Sequence, residues 1–182
     1  MRNLLIVLFG FILFASCGGN SSKTDSPKIE SRKAKSSENI SPCSLLTEAE
    51  IKDVLSLPKD ALTTMDDAVY TYPTCSYEWE TLVYKKNTTI GGQQMALEYP
   101  YKLMIVLVAN ADKSMYDKST VVYKDGENIS GLGQMAIWGD SMSQVTFLSN
   151  EHMIHLSLKV SGNHSENKNK AIELAKLVEK RL

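Results

Sequence analysis

The apolar pattern after residue 41 begins with a helix whose start is specified by its side chains. Thr47 is suited to cap this helix, because its hydroxyl can accept from the Glu50 backbone N–H while the Glu50 carboxylate accepts from the Thr47 backbone N–H. Pro58 cannot continue a helix. The pattern therefore predicts a helix from about residue 48 to a position before Pro58. Its buried stripe consists of Ile51, Val54 and Leu55.

Two further helices are predicted from the same period of 3.6 residues. One follows Asn110 and covers about 112–118. The other runs from about 166 to 181, with Ser165 as its N-cap and apolar residues at positions i, i+3, i+4 and i+7. The residues of that stripe are Ala171, Leu174, Ala175 and Val178.

Six segments have the alternating or continuous apolar pattern of β-strands, bounded by turn residues. The predicted strands are 68–72, 75–84, 101–109, 135–138, 144–148 and 152–160. Leu103–Val108 is apolar on both faces, which predicts a central strand covered on both sides. Together with the helices, the strands predict an α+β fold, a mostly antiparallel sheet with helices packed on it, in one domain over residues 42–182.

The first sixteen residues have the layout of a secretory signal. Arg2 precedes an apolar stretch from Leu4 to Ala15, which is shorter than the roughly 20 residues of a membrane-spanning helix. Phe14-Ala15-Ser16-Cys17 resembles the bacterial lipobox, in which a small residue precedes an invariant cysteine. The resemblance implies a signal peptide at residues 1–16, cleavage before Cys17, and acyl chains such as palmitate on Cys17.

Lipid on Cys17 would tether the protein to a membrane, because each buried methylene contributes about 0.8 kcal/mol and two or three chains anchor durably. Residues 18–41 have no apolar period and are typical of a flexible linker. Such a linker would hold the domain roughly 25–30 Å from the lipid. Gly18 stands where inner-membrane retention usually needs aspartate. The resemblance to that sorting rule implies the outer membrane of a bacterial envelope. The acidic cluster that sends some lipoproteins to the cell surface is absent from the sequence, which favours the periplasmic side.

The net charge and the distribution of basic residues limit which classes of partner are expected. Without residues 1–16 the chain has 19 basic and 21 acidic side chains, a formal charge of −2. A protein that binds nucleic acid needs a concentrated basic face, and the only basic cluster here lies in the linker, so nucleic acid is not an expected partner. The linker cations are expected to be solvated, with contact to anionic lipid headgroups as the alternative.

Cys43 and Cys75 are the two cysteines that remain once Cys17 carries lipid. An even number of cysteines in an exported protein is expected to pair. The sequence therefore predicts a Cys43–Cys75 disulfide, which closes a loop of about 33 residues and stabilises the domain by roughly 3–4 kcal/mol. The alternative is thiol chemistry at these cysteines, although the chain lacks the C-x-x-C spacing of redox sites.

The start of the domain, Pro42-Cys43-Ser44-Leu45-Leu46-Thr47-x-x-Glu50, resembles the Pro-Cys-x-Leu-Leu-Thr motif of a family of exported actinobacterial lipoproteins of unknown function. That family also has a cysteine before an aromatic strand, similar to Cys75-Ser76-Tyr77-Glu78-Trp79, and a Gly-Leu-Gly-x-x-Ala-x-Trp loop, similar to residues 131–138. The resemblance covers about residues 42–182. It implies a disulfide-bridged domain of helices on a sheet, and little about activity.

Two other patterns could carry chemistry but have simpler structural explanations. Gly131-x-Gly133-x-x-Ala136 formally matches a dinucleotide fingerprint, yet a strand and a turn follow it instead of a helix. The glycines are therefore expected to supply a turn with positive φ. His152 and His155 are three residues apart on a predicted strand, so their rings point to opposite faces and cannot share one metal ion without distortion. We accordingly expect neither a cofactor nor a metal.

The aromatic residues are the remaining candidates, although core packing explains most of them. Tyr99, Tyr101 and Trp138 are the candidates for a binding surface, because exposed Tyr and Trp side chains anchor partners and ligands. The sequence thus predicts a membrane-tethered envelope lipoprotein whose non-catalytic domain binds an envelope protein or a small ligand. The alternative is an envelope hydrolase with a site assembled from distant residues.

Overall fold

A computed structural model of the protein describes residues 40–182. The predicted signal peptide, Cys17 and nearly all of the linker lie outside the described residues. The elements in chain order are a 3₁₀ turn at Pro42–Ser44, α1 at Glu48–Leu55, β1 at Thr64–Val69, β2 at Pro73–Ile90, β3 at Gln93–Ala109, α2 at Lys113–Thr120, β4 at Gly126–Asn128, β5 at Met135–Gly139, β6 at Gln144–Ser149, β7 at His152–Lys159 and α3 at His164–Glu179.

The strands form one seven-stranded sheet in the order β1-β2-β3-β7-β6-β5-β4, and every neighbouring pair is antiparallel. α1 and α3 pack on one face of this sheet, and α2 packs against β6 on the other. The prediction of a mostly antiparallel sheet with helices packed on it is confirmed, with the sheet as the larger part. None of the helices between residues 40 and 182 has the length and apolar character to cross a membrane.

The main core lies between the sheet and the pair α1 and α3. Alternate residues of the central strands point into it and are fully buried, among them Leu103, Ile105, Ile154 and Leu156. A smaller cluster beneath α2 includes Val108, Tyr116, Leu148 and Met153. Met104 and Val106 face the same side as this cluster but are only half buried. The predicted cover on both sides of β3 is therefore complete on one face and partial on the other.

The start of α1 is the predicted capping box. The Thr47 hydroxyl accepts from the Glu50 backbone N–H at 3.3 Å, and the Glu50 carboxylate accepts from the Thr47 backbone N–H at 2.9 Å. Arg181, just beyond α3, donates to the same carboxylate at 2.5 Å. The Arg181 guanidinium, followed by the Thr47 amide and hydroxyl, lowers the pKa of Glu50 to about 2. One carboxylate thus caps α1 and also joins it to the end of α3.

The N-cap of α3 is Asn163, so the prediction of Ser165 is wrong. The Asn163 side-chain oxygen accepts from the backbone N–H groups of Ser165 and Glu166, and the helix begins at His164. Asparagine is among the strongest N-cap residues, because its short side chain reaches the free amides of the first turn. The helix therefore starts two residues earlier than its apolar stripe indicates.

The largest departure from the sequence prediction is a long hairpin. β2 and β3 continue past the sheet to a two-residue turn at Gly91 and Gly92, whose φ angles are +58° and +84°. β1 pairs with β2 only as far as Glu78, and β7 pairs with β3 only from Lys102 onwards. Among residues 40–182, residues 83–100 are thus paired only with each other, and we call this two-stranded segment the ribbon.

The predicted position of β1 is wrong, and β4 is not among the predicted strands. β1 spans Thr64–Val69, not 68–72, and nearly all of its residues are exposed. β4 has three exposed residues. Both are edge strands of the sheet, and an edge strand without a buried face leaves no apolar alternation in the sequence.

Candidate functional site

The ribbon has two faces of different chemistry, because alternate residues of each strand point to opposite sides. We call one the tyrosine face; its cross-strand pairs are Tyr84 with Tyr99, Lys86 with Leu97, Thr88 with Met95, and Ile90 with Gln93. We call the other the polar face; its pairs are Val83 with Pro100, Lys85 with Glu98, Asn87 with Ala96, and Thr89 with Gln94. The ribbon is therefore amphipathic although no helix or strand of the described part of the chain covers it.

The tyrosine face continues the main core outwards into solvent. Tyr101 packs partly buried against the core, and its ring lies 6.3 Å from that of Tyr84. The Tyr84 and Tyr99 rings stack at 5.7 Å between centroids. Further out, Tyr99, Met95 and Ile90 are 36 %, 45 % and 51 % exposed. Apolar side chains with this much exposure in one row are typical of a contact surface.

The outer part of the ribbon carries no charge. All eleven residues from Asn87 to Leu97 are uncharged, in a chain of which 23 % of residues are charged. The nearest ion pair joins Lys85 and Glu98 at 3.5 Å on the polar face, and both side chains are more than half exposed. An ion pair this exposed contributes little. The outer part of the ribbon therefore offers apolar contact and hydrogen bonding, and no ionic contact.

The base of the ribbon is fixed to the rest of the domain. Leu82 packs against the main core. Gly162, in the loop before α3, approaches the Lys85 carbonyl so closely that a Cβ atom there would lie 2.4 Å from the oxygen. Since two separate contacts hold the base, the ribbon projects from the sheet in a defined direction.

The structure brings two of the three predicted aromatic residues together. Tyr99 and Tyr101 lie on one side of β3, at and next to the tyrosine face. Trp138 lies on β5, is 1 % exposed, and donates from its indole N–H to Asp140 at 3.1 Å. Its inclusion in a binding surface is wrong, because the alternation of β5 directs it into the main core.

The ribbon residues that the sequence analysis missed are Tyr84, Ile90 and Met95. A signal for them was present, because two adjacent glycines between β-forming segments are typical of a two-residue hairpin turn with positive φ at both positions. Gly91-Gly92 lies further along the chain than Tyr84, where the preceding strand is predicted to end. Extending that strand to the glycines would have placed all three residues on one hairpin.

The predicted disulfide between Cys43 and Cys75 is confirmed. The bond joins the 3₁₀ turn before α1 to β2, and the two Cα atoms are 5.0 Å apart. Cys75 is fully buried. Both cysteines between residues 40 and 182 are in this bond, so the described residues hold no free thiol.

A cluster of polar side chains surrounds His155 beneath the end of α2. The Nδ1 atom of His155 lies 2.8 Å from the Thr146 hydroxyl, and its Nε2 atom lies 3.4 Å from the Ser119 hydroxyl. Thr146 is in turn 2.6 Å from the hydroxyl of Tyr123, which also accepts from Gln144. These contacts connect α2 and the turn after it to β6 and β7.

His152 belongs to a different site. Its Nδ1 atom is 2.7 Å from the carbonyl oxygen of Asn150, and it shares no partner with His155. Within residues 40–182 no three His, Cys, Asp or Glu side chains are grouped as metal ligands. The two histidines are therefore held apart by their own hydrogen bonds.

Ser119 and His155 are the residue types of a nucleophile and its base, but their geometry favours a structural role. A distance of 3.4 Å is long for an O–H···N hydrogen bond. The group on the other ring nitrogen is the Thr146 hydroxyl, where a catalytic triad has a carboxylate that stabilises the imidazolium. Burial lowers the pKa of His155 and so opposes the protonated form.

The partly buried position of His155 predicts a dependence of stability on pH. Because its pKa is lowered in the folded protein, the unfolded chain binds the proton at a higher pH than the folded chain. Stability should therefore fall as pH is lowered through about 6.5, the ordinary histidine pKa, and level off below the folded-state pKa. Urea unfolding across this range should show the decrease in the wild type and its absence in His155→Gln. His152 and His164 are present in both proteins, so equal slopes would contradict the prediction.

Two clefts lie on other parts of the surface. One, of about 530 Å³, lies between the start of α2 and the turn from β6 to β7. The other, of about 680 Å³, lies beside α1 and is lined by acidic and basic side chains of both signs. The residues that line them include neither a ribbon residue nor His155.

Comparisons of this chain with protein-family models, curated proteins and solved structures found no match. No relative's activity or partner therefore bears on the site. The chemistry of the ribbon and of the His155 cluster is the basis on which a function can be assigned.

Proposed function

We propose that this protein is an envelope lipoprotein, anchored by lipid on Cys17, whose domain binds a partner protein or ligand through the tyrosine face of the ribbon without catalysis. The observation that carries the proposal is the exposed row of apolar and aromatic side chains on a projecting, fixed ribbon. We further propose that the protein lies on the periplasmic side of the outer membrane and that it is related to the actinobacterial lipoproteins. Both of these proposals rest on sequence motifs.

The chemistry of the tyrosine face supports binding of a protein in particular. Tyrosine is enriched where protein interfaces carry most of their binding energy, and methionine adapts its shape to different partners. Both residue types are exposed here, beside an isoleucine at the tip. The ring of each tyrosine offers apolar area, and its hydroxyl offers a hydrogen bond.

The anchoring part of the proposal predicts an effect of Cys17→Ala. Without the thiol no acyl chain can be attached, so the protein should move from the membrane fraction to the soluble fraction. Intact mass of the wild type should show cleavage before Cys17 and added acyl chains. A wild-type mass without acyl chains, or a Cys17→Ala variant that stays in the membrane fraction, would contradict the anchoring.

The binding part predicts that charge on the tyrosine face abolishes partner capture. Ile90→Lys should reduce at least tenfold the amount of any specific partner recovered from cross-linked envelopes, because it buries an unpaired charge within the contact. Thr89→Lys is the matched control, since the adjacent side chain lies on the polar face. Equal recovery with both variants, or no specific partner for the wild type, would count against the proposal.

The second candidate function is an envelope hydrolase, and the approach of Ser119 to His155 is the observation that favours it. An activated serine would be labelled by a fluorophosphonate probe. We expect no labelling of the wild type above the level of Ser119→Ala, because the geometry places no carboxylate behind His155. Labelling that Ser119→Ala removes would replace the binding proposal with the hydrolase.

A further inference from the structure

The outer edge of β3 within the ribbon is free and unprotected. Between Gln93 and Tyr99 no strand of residues 40–182 pairs with it on the side away from β2. Edge strands in proteins are normally protected by charges, prolines or bulges, because their unpaired N–H and C=O groups pair readily with another strand. From Gln93 to Leu97 this edge has none of these, and its first proline is Pro100.

The corresponding edge of β2 is protected. It carries Lys85 and Lys86, and the register shift between Trp79 and Val83 places three extra residues at its base. A bulge bends a strand and interrupts pairing, and adjacent lysines repel a second copy of themselves. The free edge of β3 is therefore the one suited to pairing with another strand.

We propose that this edge pairs with the same edge of a second copy of the chain, antiparallel, about a two-fold axis at Ala96. In this register Ala96 faces Ala96 of the second copy, Leu97 faces Met95, and Glu98 faces Gln94. Each pair is chemically matched on its own face of the ribbon, and the one charge, on Glu98, faces an amide that can donate to it. Pro100, which has no N–H to donate, falls outside the paired segment.

The two-fold axis runs perpendicular to the ribbon, so the tyrosine faces of both copies lie on the same side of a four-stranded sheet. A strand pair of this length buries less than the roughly 1,200–2,000 Å² of a stable complex. The dimer is therefore weak for dilute chains and is favoured where chains are concentrated on one membrane. That dependence on a membrane rests on the proposed function, whereas the edge pairing does not.

Cross-linking through Ala96→Cys tests the pairing. Directly opposite residues of antiparallel strands have Cβ atoms about 4.5–5.5 Å apart, which is close to the reach of a disulfide. The full chain with this substitution would be purified in detergent, reconstituted in vesicles of phosphatidylethanolamine and phosphatidylglycerol, and oxidised with copper phenanthroline. We expect at least a fivefold higher yield of disulfide-linked dimer than for Asn87→Cys.

Asn87→Cys is the matched control, because Asn87 lies directly opposite Ala96 on the same face of the ribbon but on β2. The wild type controls for dimers formed through Cys17. Equal yields from the two cysteine variants, or a higher yield from Asn87→Cys, would overturn the inference. Since the readout is the homodimer itself, its failure is distinct from the failure of partner capture by the tyrosine face.

Charge at Gln94 tests the register in the Ala96→Cys background. Gln94→Lys would place a lysine opposite Glu98 of the other copy, and the two-fold axis makes two such pairs in the dimer. Cross-linking should therefore rise by roughly two- to tenfold. Gln94→Glu would place two carboxylates opposite each other and should lower it by a similar factor. The same yield for both variants would overturn the Ala96 register. Unchanged melting temperatures would show that the variants remain folded.

Discussion

Replacing both Cys43 and Cys75 with alanine is expected to lower the free energy of unfolding by about 3–4 kcal/mol. The bond joins residues 32 apart in sequence, and its loss gives the unfolded chain the freedom of that open loop. For a domain of this size the melting temperature should fall by roughly 10 °C or more. Urea unfolding of the wild type and the double variant, each under oxidising conditions, measures the difference.

The double alanine variant is the informative one. A single substitution would leave one thiol free to react, and serine at position 75 would bury a hydroxyl in the core, where Cys75 is fully enclosed. The control is the wild type under reducing conditions, which should approach the stability of the double variant. A double variant as stable as the oxidised wild type would contradict a structural role for the bond and return attention to thiol chemistry.

The consequence of losing the bond should be concentrated around α1. The Tyr77 hydroxyl, two residues beyond Cys75 on the same face of β2, donates towards the carbonyl oxygens of Cys43 and Leu46 at 3.3 and 3.4 Å. Arg181 donates to the Leu45 carbonyl at 2.6 Å. The disulfide and these contacts together hold the segment before α1. Loss of the disulfide should therefore increase hydrogen exchange first in that segment and not at β5 or β6.

The parts of the fold that could be predicted from the sequence are those determined by neighbouring residues. The capping box of α1 needs only Thr47 and Glu50, and the apolar stripe of α3 needs only residues within two turns. The disulfide follows from the even number of cysteines left in a chain whose first residues resemble an export signal. In each case the physical cause lies within a short segment or in a simple count.

The ribbon could not be predicted from neighbouring residues alone, because its base is held by contacts with distant parts of the chain. Met95, Leu97 and Tyr99 alternate along β3, but Lys86 and Thr88 interrupt the apolar positions of β2. Within residues 40–182 the strand pairing of this segment is made only between β2 and β3. Leu82 and Gly162 hold its base through contacts with distant parts of the chain. The Gly91-Gly92 turn and the alternation of β3 are the local signals that indicate it.

In the candidate site, too, the sequence predicts what neighbouring residues determine and not what the assembled sheet determines. Tyr99 and Trp138 are both aromatic residues in strands, and composition does not distinguish them. Trp138 is covered because it points into the main core, whereas Tyr99 lies beyond the end of β7 and is more than a third exposed. Exposure is thus decided by which strands extend past their neighbours, and that is a property of the assembled sheet.

The glycines at 131 and 133 are expected to respond very differently to alanine, although both have positive φ. Gly133→Ala should lower the free energy of unfolding by about 3 kcal/mol or more, which places it among the most damaging single substitutions. A Cβ atom at position 133 would lie 2.4 Å from the Leu148 carbonyl oxygen, which accepts from the Gln134 backbone N–H at 2.8 Å. The Gly133 N–H also donates to Glu179 at 2.8 Å, so the turn is held on two sides and cannot move away.

Gly131→Ala is the matched control. Its φ is +73° and no atom lies within 4 Å of where its Cβ would be, so only the backbone preference changes, at a cost of about 1–2 kcal/mol. Urea unfolding of both variants measures the difference between them. A larger loss for Gly133→Ala would show that this glycine is required by the close approach of β6 and by the contact with α3. Equal losses would contradict that explanation and leave the shared backbone conformation as the only role of the motif.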